Sequence, residues 1–171
     1  YRRLSITAFV EWVLGPSRAS GTLSIATEID PQTGALFARN RWNRNFGSHV
    51  AFIDMCGRQS SATGDRREFI GRNGTLDNPA ALAVDASLSG RVGSGLDACG
   101  VLQALIELKP GQSTDIVVLL GQGSTAEAAR EQITRYRSAD LDAARQGVER
   151  YWNDALDTVQ VKTPDRAMDI M

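Results

Sequence analysis

The hydrophobic pattern of this chain changes its period once, at Gly121-Gln122-Gly123. Before that point apolar and polar residues alternate in short runs, which is the period of a β-strand with one buried face. After it, apolar residues recur every three or four positions, as they do along one face of a helix. Strands followed only by helices do not match the alternating order of a parallel α/β sheet. The pattern therefore predicts a mainly β protein, an antiparallel β-sandwich followed by two C-terminal helices.

Two hairpins are predicted within the strand region. Residues 23–29 and 35–40 flank the turn cluster Asp30-Pro31-Gln32-Thr33-Gly34, which is the strongest hairpin signal in the chain. Residues 102–108 and 116–120 suggest a second antiparallel pair. Further strands are expected at 5–14, where Trp12 belongs to the apolar face, and at 50–55.

The helical region begins with Ser124-Thr125-Ala126-Glu127, which matches a capping box with Ser124 as the N-cap. A helix is expected from about 125 to 137, and a second, capped near Asp140, over 141–156. The second helix carries an apolar stripe in which Trp152 is expected to be buried. We divide the chain into a sandwich domain (1–122), a helical linker (123–160) and the start of a further domain (161–171).

Composition excludes several functions. The formal net charge is −1 and the pI is about 5.9, so no positive field exists to attract nucleic acid. Cys56 and Cys99 stand apart from each other and from histidines, which predicts buried thiols in a reducing compartment and no metal site. The single histidine, His49, is expected to be a hydrogen-bonded structural residue. No apolar run approaches the roughly 20 residues of a membrane span, so we expect a soluble, cytoplasmic portion.

The most unusual segment is 63–74, where charges of both signs surround glycines. In a functional interpretation, Asp65 and Glu68 form hydrogen bonds with sugar hydroxyls, while Arg66, Arg67 or Arg72 binds a hydroxyl, carboxylate or phosphate. In a structural interpretation, which we prefer, the same residues form an ion-pair network within a loop. Trp42 is a candidate for stacking on a sugar ring, because aromatic faces pack against the apolar face of a pyranose.

No catalytic residue can be assigned from the sequence. Glycoside hydrolysis needs two carboxylates facing each other across a cleft, and a linear sequence does not show that geometry. The candidates by residue type are Asp54, Asp65, Glu68, Asp85 and Asp97. The glycine-rich segment 90–95 lacks the lysine and following helix of a phosphate-binding loop, so we expect a bent loop at a sheet edge and no cofactor.

Longer strings carry a family resemblance. FVEWVLGPSR, TGALFARNRWN, TGDRREFIGRNGTL, LSGRVGSGLDACGVLQ, LKPGQSTDIVVLLGQG and VQVKTPDRAMDIM occur in this order along the whole chain. They resemble the C-terminal phosphorylase-like region of cyclic β-1,2-glucan synthases. That region is similar to the cellobiose and chitobiose phosphorylases of glycoside hydrolase family 94, formerly glycosyltransferase family 36.

The resemblance implies a fold, a partner and an activity. It implies a galactose-mutarotase-like supersandwich, here partial, joined by linker helices to an (α/α)6 barrel that holds the catalytic and phosphate-binding residues beyond Met171. The parent polypeptide would then transfer glycosyl groups on β-linked glucans and be anchored at the inner membrane. This portion would brace the barrel without activity of its own, with homodimer contacts and contact with β-glucan oligosaccharides as further expectations.

Two alternatives remain open. A stand-alone carbohydrate-binding module would need a platform of exposed aromatic residues, for which only Trp42 is suited. A small hydrolase or mutarotase would need a catalytic histidine paired with a carboxylate, and His49 is the one histidine of the sequence.

Overall fold

The computed structural model describes residues 1–83, 87–158 and 163–164 of the chain. Within them the strands are β1 (Arg2–Glu11), β2 (Ile25–Ile29), β3 (Leu36–Asn40), β4 (Val50–Asp54), β5 (Ser61–Asp65), β6 (Ala98–Leu108) and β7 (Leu119–Gly123). The helices are α1 (Arg18–Gly21), α2 (Arg66–Ile70), α3 (Ala126–Arg137) and α4 (Leu141–Leu156), with 3-10 turns at Thr22–Ser24 and Ala80–Leu82. The chain divides into two compact units, Tyr1–Arg137 and Ser138–Met171.

The first unit contains two antiparallel sheets. One has the strand order β1-β6-β5 and the other β2-β3-β4-β7, and each neighbouring pair in both sheets is antiparallel. Strands β1 and β6 pair along ten residues, from Arg2 opposite Leu108 to Glu11 opposite Cys99. The predicted antiparallel β-sandwich is confirmed.

The main hydrophobic core lies between the two sheets. Side chains from both contribute to it, including Leu36 and Ile53 from one sheet, Ala98 and Leu102 from the other, and Trp12 just after β1. Trp12 is 4% exposed, as the sequence pattern predicted. Burial of this apolar surface, at about 25 cal/mol per Å², is the main force that holds the sheets together.

A helix covers the outer face of each sheet. Helix α3 packs Ala129 and Ile133 against Phe37 and Phe52, which point away from the main core. On the other sheet, α2 packs Phe69 and Ile70 against Cys99 and Val101, and the Phe69 ring stacks on Phe9 at 5.3 Å. The first unit is therefore layered in the order α3, sheet, sheet, α2.

The two predicted hairpins have different outcomes. The 23–29 and 35–40 hairpin is confirmed as β2 and β3, with Ile29 opposite Leu36. The hairpin between 102–108 and 116–120 is wrong. Strand β6 is already paired on both edges, with β1 and with β5, so the chain after it crosses to the other sheet, where β7 pairs with β4.

Local expectations need three corrections. Strand β5 and helix α2 are not among the elements predicted from the sequence. The α3 cap is Thr125, whose hydroxyl accepts the N–H of Ala128 at 3.2 Å, and not Ser124. Helix α4 buries none of its residues, and Trp152, expected in a core, is 55% exposed.

Candidate functional site

The first charged residue of the predicted site, Asp65, lies where β5 leads into α2. It is buried, and one carboxylate oxygen caps α2 by accepting the N–H of Arg67 at 3.0 Å. The other oxygen is 3.1 Å from the guanidinium of Arg91. Both oxygens of Asp65 therefore have partners within the fold, which is the arrangement of a helix cap with an ion pair.

Glu68, one residue before Phe69 in α2, is held by hydroxyl and backbone donors. It accepts hydrogen bonds from the Thr63 hydroxyl at 2.6 Å, the Ser89 N–H at 2.7 Å and the Ser89 hydroxyl at 2.8 Å. Burial by itself would raise the pKa of this carboxyl, but the hydrogen bonds from Thr63 and Ser89 outweigh it and lower the pKa. A general acid needs a raised pKa, so Glu68 is not prepared to donate a proton.

Two of the predicted arginines, Arg66 and Arg72, differ in their surroundings. Arg66 donates from Nε to Glu11 at 2.6 Å and lies 3.9 Å from Asp97. Arg18 forms ion pairs with the same two carboxylates. Arg72 follows α2 and is exposed, with no ion pair among the described residues. The charged cluster thus corresponds largely to the ion-pair network that we preferred as its structural interpretation.

The carboxylates considered as catalytic candidates by type are engaged in the same way. Asp54 is fully buried and pairs with Arg137 at 2.7 Å. Asp97 pairs with the arginines named above, and Asp85 lies outside the described residues. Each of the four described candidates is occupied by a cation or by hydrogen-bond donors, so none stands ready for acid–base catalysis.

A separate cleft of about 540 Å³ opens at one end of the β2-β3-β4-β7 sheet. Its polar wall consists of amide and imidazole groups from Asn40, Asn43, Asn45, His49 and Gln122. Its apolar wall includes Val13, Leu14, Ala51 and the ring of Phe46. None of the described residues that line the cleft carries a charged side chain. Such a cavity, mostly apolar with a few polar groups, is typical of sites for small molecules.

Strand geometry places these groups together. Asn40 ends β3 and donates from Nδ2 to the Leu14 carbonyl at 2.7 Å, which fixes the segment after β1 against the cleft. Gln122 of β7 is opposite Ala51 of β4, so its side chain stands at the same sheet end. The His49 Nδ1 and Gln122 Oε1 atoms are 3.4 Å apart, so these two side chains are neighbours in the cleft wall.

The loop 41–49 is shaped by its own asparagine. The Asn43 Oδ1 accepts the N–H groups of Asn45 at 3.1 Å and Phe46 at 3.2 Å, which is an Asx turn. A side chain at Gly47 would bring its Cβ to 2.8 Å from the Asn43 carbonyl, so the turn requires glycine there. The local sequence therefore folds the loop into a defined shape in which Phe46 reaches the cleft.

The aromatic residues of this loop remain accessible. Trp42 is 84% exposed and does not line the cleft, although it lies in the sequence between Asn40 and Asn43, which do. Phe46 is 55% exposed and meets the His49 ring edge-on, with centroids 5.1 Å apart. His49 has no carboxylate beside it among the described lining residues, which argues against a histidine–carboxylate hydrolase or mutarotase centre.

The structure thus separates the predicted site residues. Asp65, Arg66 and Glu68 lie together at the start of α2, and Trp42 lies in the loop after β3. The cleft was not predicted from the sequence. The sequence pattern that could have indicated the cleft is the asparagine-rich run Asn40-Arg41-Trp42-Asn43-Arg44-Asn45-Phe46. Gln122 is far from this run in the sequence and is brought to it by the pairing of β7 with β4.

The fold is that of a β-sandwich domain, with two antiparallel sheets packed face to face and a helix on the outer face of each. Its cleft is uncharged, and the described candidate carboxylates form no catalytic pair. Residues 1–139 match the family model for the glycosyl hydrolase 94 supersandwich domain. The chain belongs to this family.

Two curated relatives are similar to the chain. The cyclic beta-(1,2)-glucan synthase NdvB of Rhizobium meliloti (strain 1021) is 30% identical over 170 residues, which covers 99% of this chain and 6% of the relative. The N,N'-diacetylchitobiose phosphorylase of Vibrio furnissii is 29% identical over 113 residues, covering 65% of this chain and 14% of the relative. The chain therefore spans only a small part of the length of either protein. Among the described residues, no helix is both long enough and apolar enough to cross a membrane.

Proposed function

We propose that this chain is the non-catalytic supersandwich part of a larger enzyme that transfers glycosyl groups on β-linked glucans. The family match over residues 1–139 carries the proposal. The names of both relatives support it, because one is a cyclic beta-(1,2)-glucan synthase and the other is an N,N'-diacetylchitobiose phosphorylase. In this proposal residues 1–122 form the sandwich, 123–160 the linker and 161–171 the entry to an (α/α)6 catalytic barrel.

The state of the carboxylates supports a non-catalytic role. Inverting transfer requires a protonated acid close to the glycosidic oxygen, held by a raised pKa. Asp65 is paired and capping, Asp54 is paired and buried, and the pKa of Glu68 is lowered by hydrogen bonds despite its burial. The role that remains for these groups is to hold the sandwich rigid beside the barrel that performs the chemistry.

An assay of the chain itself tests this proposal. Purified chain is incubated with inorganic phosphate and linear β-1,2- or β-1,4-linked gluco-oligosaccharides, and glucose 1-phosphate is measured. We expect no product above a buffer control. Product that disappears in an Asp97→Asn or Glu68→Gln variant would overturn the non-catalytic assignment.

The location and assembly of the domain are further parts of the proposal. We place it in the cytoplasm, in a polypeptide anchored at the inner membrane, and the free thiols of Cys56 and Cys99 support a reducing compartment. Homodimer contacts are proposed from the family resemblance. Sedimentation equilibrium of the chain measures whether a dimer forms.

A further inference from the structure

We propose that the cleft formed by Asn40, Asn43, Asn45, Phe46, His49 and Gln122 binds a neutral sugar residue of a glucan chain. This inference deepens the proposed function and rests on it, because it names where the domain contacts glucan. The proposed contact with glucan is thereby assigned to this uncharged cleft and not to the charged segment at α2.

The chemistry of the cleft walls selects the class of ligand. A free side-chain amide offers both a donor NH₂ and an acceptor oxygen, which matches a hydroxyl that donates and accepts at once. The oxygens of Asn40 and Asn43 already accept backbone N–H groups of the loop, and the Gln122 oxygen lies 3.4 Å from His49 Nδ1. The cleft therefore offers a ligand the whole amide of Asn45 and the NH₂ groups of Asn43 and Gln122, which donate to no other described residue. The described lining residues bring no cation to bind phosphate and no carboxylate to bind a metal ion or an amine. A neutral polyhydroxylated ligand is the class that satisfies these walls.

The amide of Asn45 is available for such a ligand. Its backbone N–H is used in the turn, but no hydrogen bond to another described residue engages its side chain. The side chain is exposed at the rim of the cleft. Removing this amide should therefore change the stability of the fold little. A hydroxyl of a bound sugar would lose a hydrogen-bond partner.

The ring of Phe46 supplies the apolar contact. It is 55% exposed and is oriented by its edge-on contact with His49. An aromatic face can cover the C–H face of a pyranose while the amides bind its hydroxyls. Trp42, more exposed and on the same loop, can contact a neighbouring residue of a longer chain.

Calorimetric titration with a linear β-1,2-linked glucose tetrasaccharide tests the site. We expect weak binding, with a Kd on the order of 1 mM or tighter, that weakens at least about fivefold in Phe46→Ala and in Asn45→Ala. The matched controls are Leu23→Ala, which removes another exposed apolar side chain, and Asn73→Ala, which removes an exposed amide elsewhere. Thermal melts establish that all four variants are folded.

The outcomes separate this inference from the proposed function. Binding that persists in both folded cleft variants, or that is lost in Arg72→Ala instead, overturns the cleft. Absence of binding at millimolar tetrasaccharide overturns it as well, yet leaves the turnover assay to decide the catalytic role. Equal binding of inorganic phosphate at the cleft, detected by the same variants, would contradict a neutral ligand.

Discussion

Arg137, the last residue of α3, donates two hydrogen bonds to the buried carboxylate of Asp54 at the end of β4, at 2.9 and 2.7 Å. The same guanidinium reaches the Thr33 carbonyl at 2.6 Å. Gln59 completes the arrangement by donating to Asp54 at 2.9 Å. The end of the outer helix is therefore tied to the sheet by a charged contact as well as by Ile133 in the apolar layer.

Arg137→Met is expected to lower the free energy of unfolding by about 3 kcal/mol, because Asp54 is left buried without its cation. Chemical denaturation monitored by circular dichroism measures the loss. Arg145→Met is the control, since Arg145 pairs with Glu149 on an exposed helix face and its loss should cost below about 0.5 kcal/mol. Equal effects of the two substitutions would show that the Asp54 contact contributes no more than a surface pair.

The correction to the α3 cap can be tested by two neighbouring substitutions. Thr125→Ala removes the hydroxyl that accepts the Ala128 N–H and should lower the free energy of unfolding by about 1 kcal/mol. Ser124→Ala should change it by only a few tenths of that, because no cap bond depends on Ser124. If Ser124→Ala were the costlier change in the same denaturation experiment, the cap assignment would be reversed.

Gly100 lies against the ring of Trp12 in the main core, where there is no room for a side chain. A Cβ at this position would lie 2.8 Å from the Trp12 ring and 2.9 Å from a Val10 methyl group. Gly100→Ala is therefore expected to destabilise the fold by about 1–3 kcal/mol and to alter the tryptophan fluorescence. Gly147→Ala is the matched control, because no atom approaches that position and alanine favours the α4 helix, so it should be neutral or stabilising. A stable Gly100→Ala variant with unchanged fluorescence would contradict the close packing.

Asp30 makes stability depend on pH in a defined direction. Burial alone would raise the pKa of this carboxyl, but hydrogen bonds from Arg130 and Thr33 lower it below its ordinary value of 3.8. Because the folded-state pKa is the lower one, the stabilisation is complete above 3.8 and is lost as pH falls through the folded-state value.

The measurement compares the free energy of unfolding of the wild type and Asp30→Asn between pH 7 and pH 3. We expect the wild type to be more stable at neutral pH and the difference to shrink on acidification. Glu149→Gln, which alters an exposed pair, provides the reference for a small difference. A difference for Asp30→Asn that stays constant over the whole range would contradict the lowered pKa.

The fold was predictable where the signal was local. The β2–β3 hairpin follows from the turn cluster between Asp30 and Gly34, and the helices follow from apolar spacing. The partner of β7 was not predictable in the same way, because its pairing with β4 joins residues about 70 positions apart and depends on which strand edges are already filled. Sequence proximity favoured β6, whose edges are occupied.

The candidate site shows the same limit. The charges at Asp65 and Glu68 were conspicuous in the sequence, yet their partners Arg91 and Ser89 come from a distant segment and turn them into structural groups. The cleft was hard to predict because asparagine, glutamine and phenylalanine are each common in proteins, so no single one of these residues indicates a binding site. Only the sheet brings Gln122 to the loop that contains Asn45.

Strand β3 is buried on both faces, with Leu36 and Ala38 in the main core and Phe37 beneath α3. Arg39 lies on the same outer face as Phe37 and pairs with Glu28, so a slip of one position in the pairing would turn this charged side chain toward the main core. The turn supports the same alignment, since Asp30 accepts the N–H and hydroxyl of Thr33 at 2.9 and 2.7 Å. The register of β3 is therefore set from two places, by a charged side chain on its outer face and by the carboxylate in the turn that precedes it.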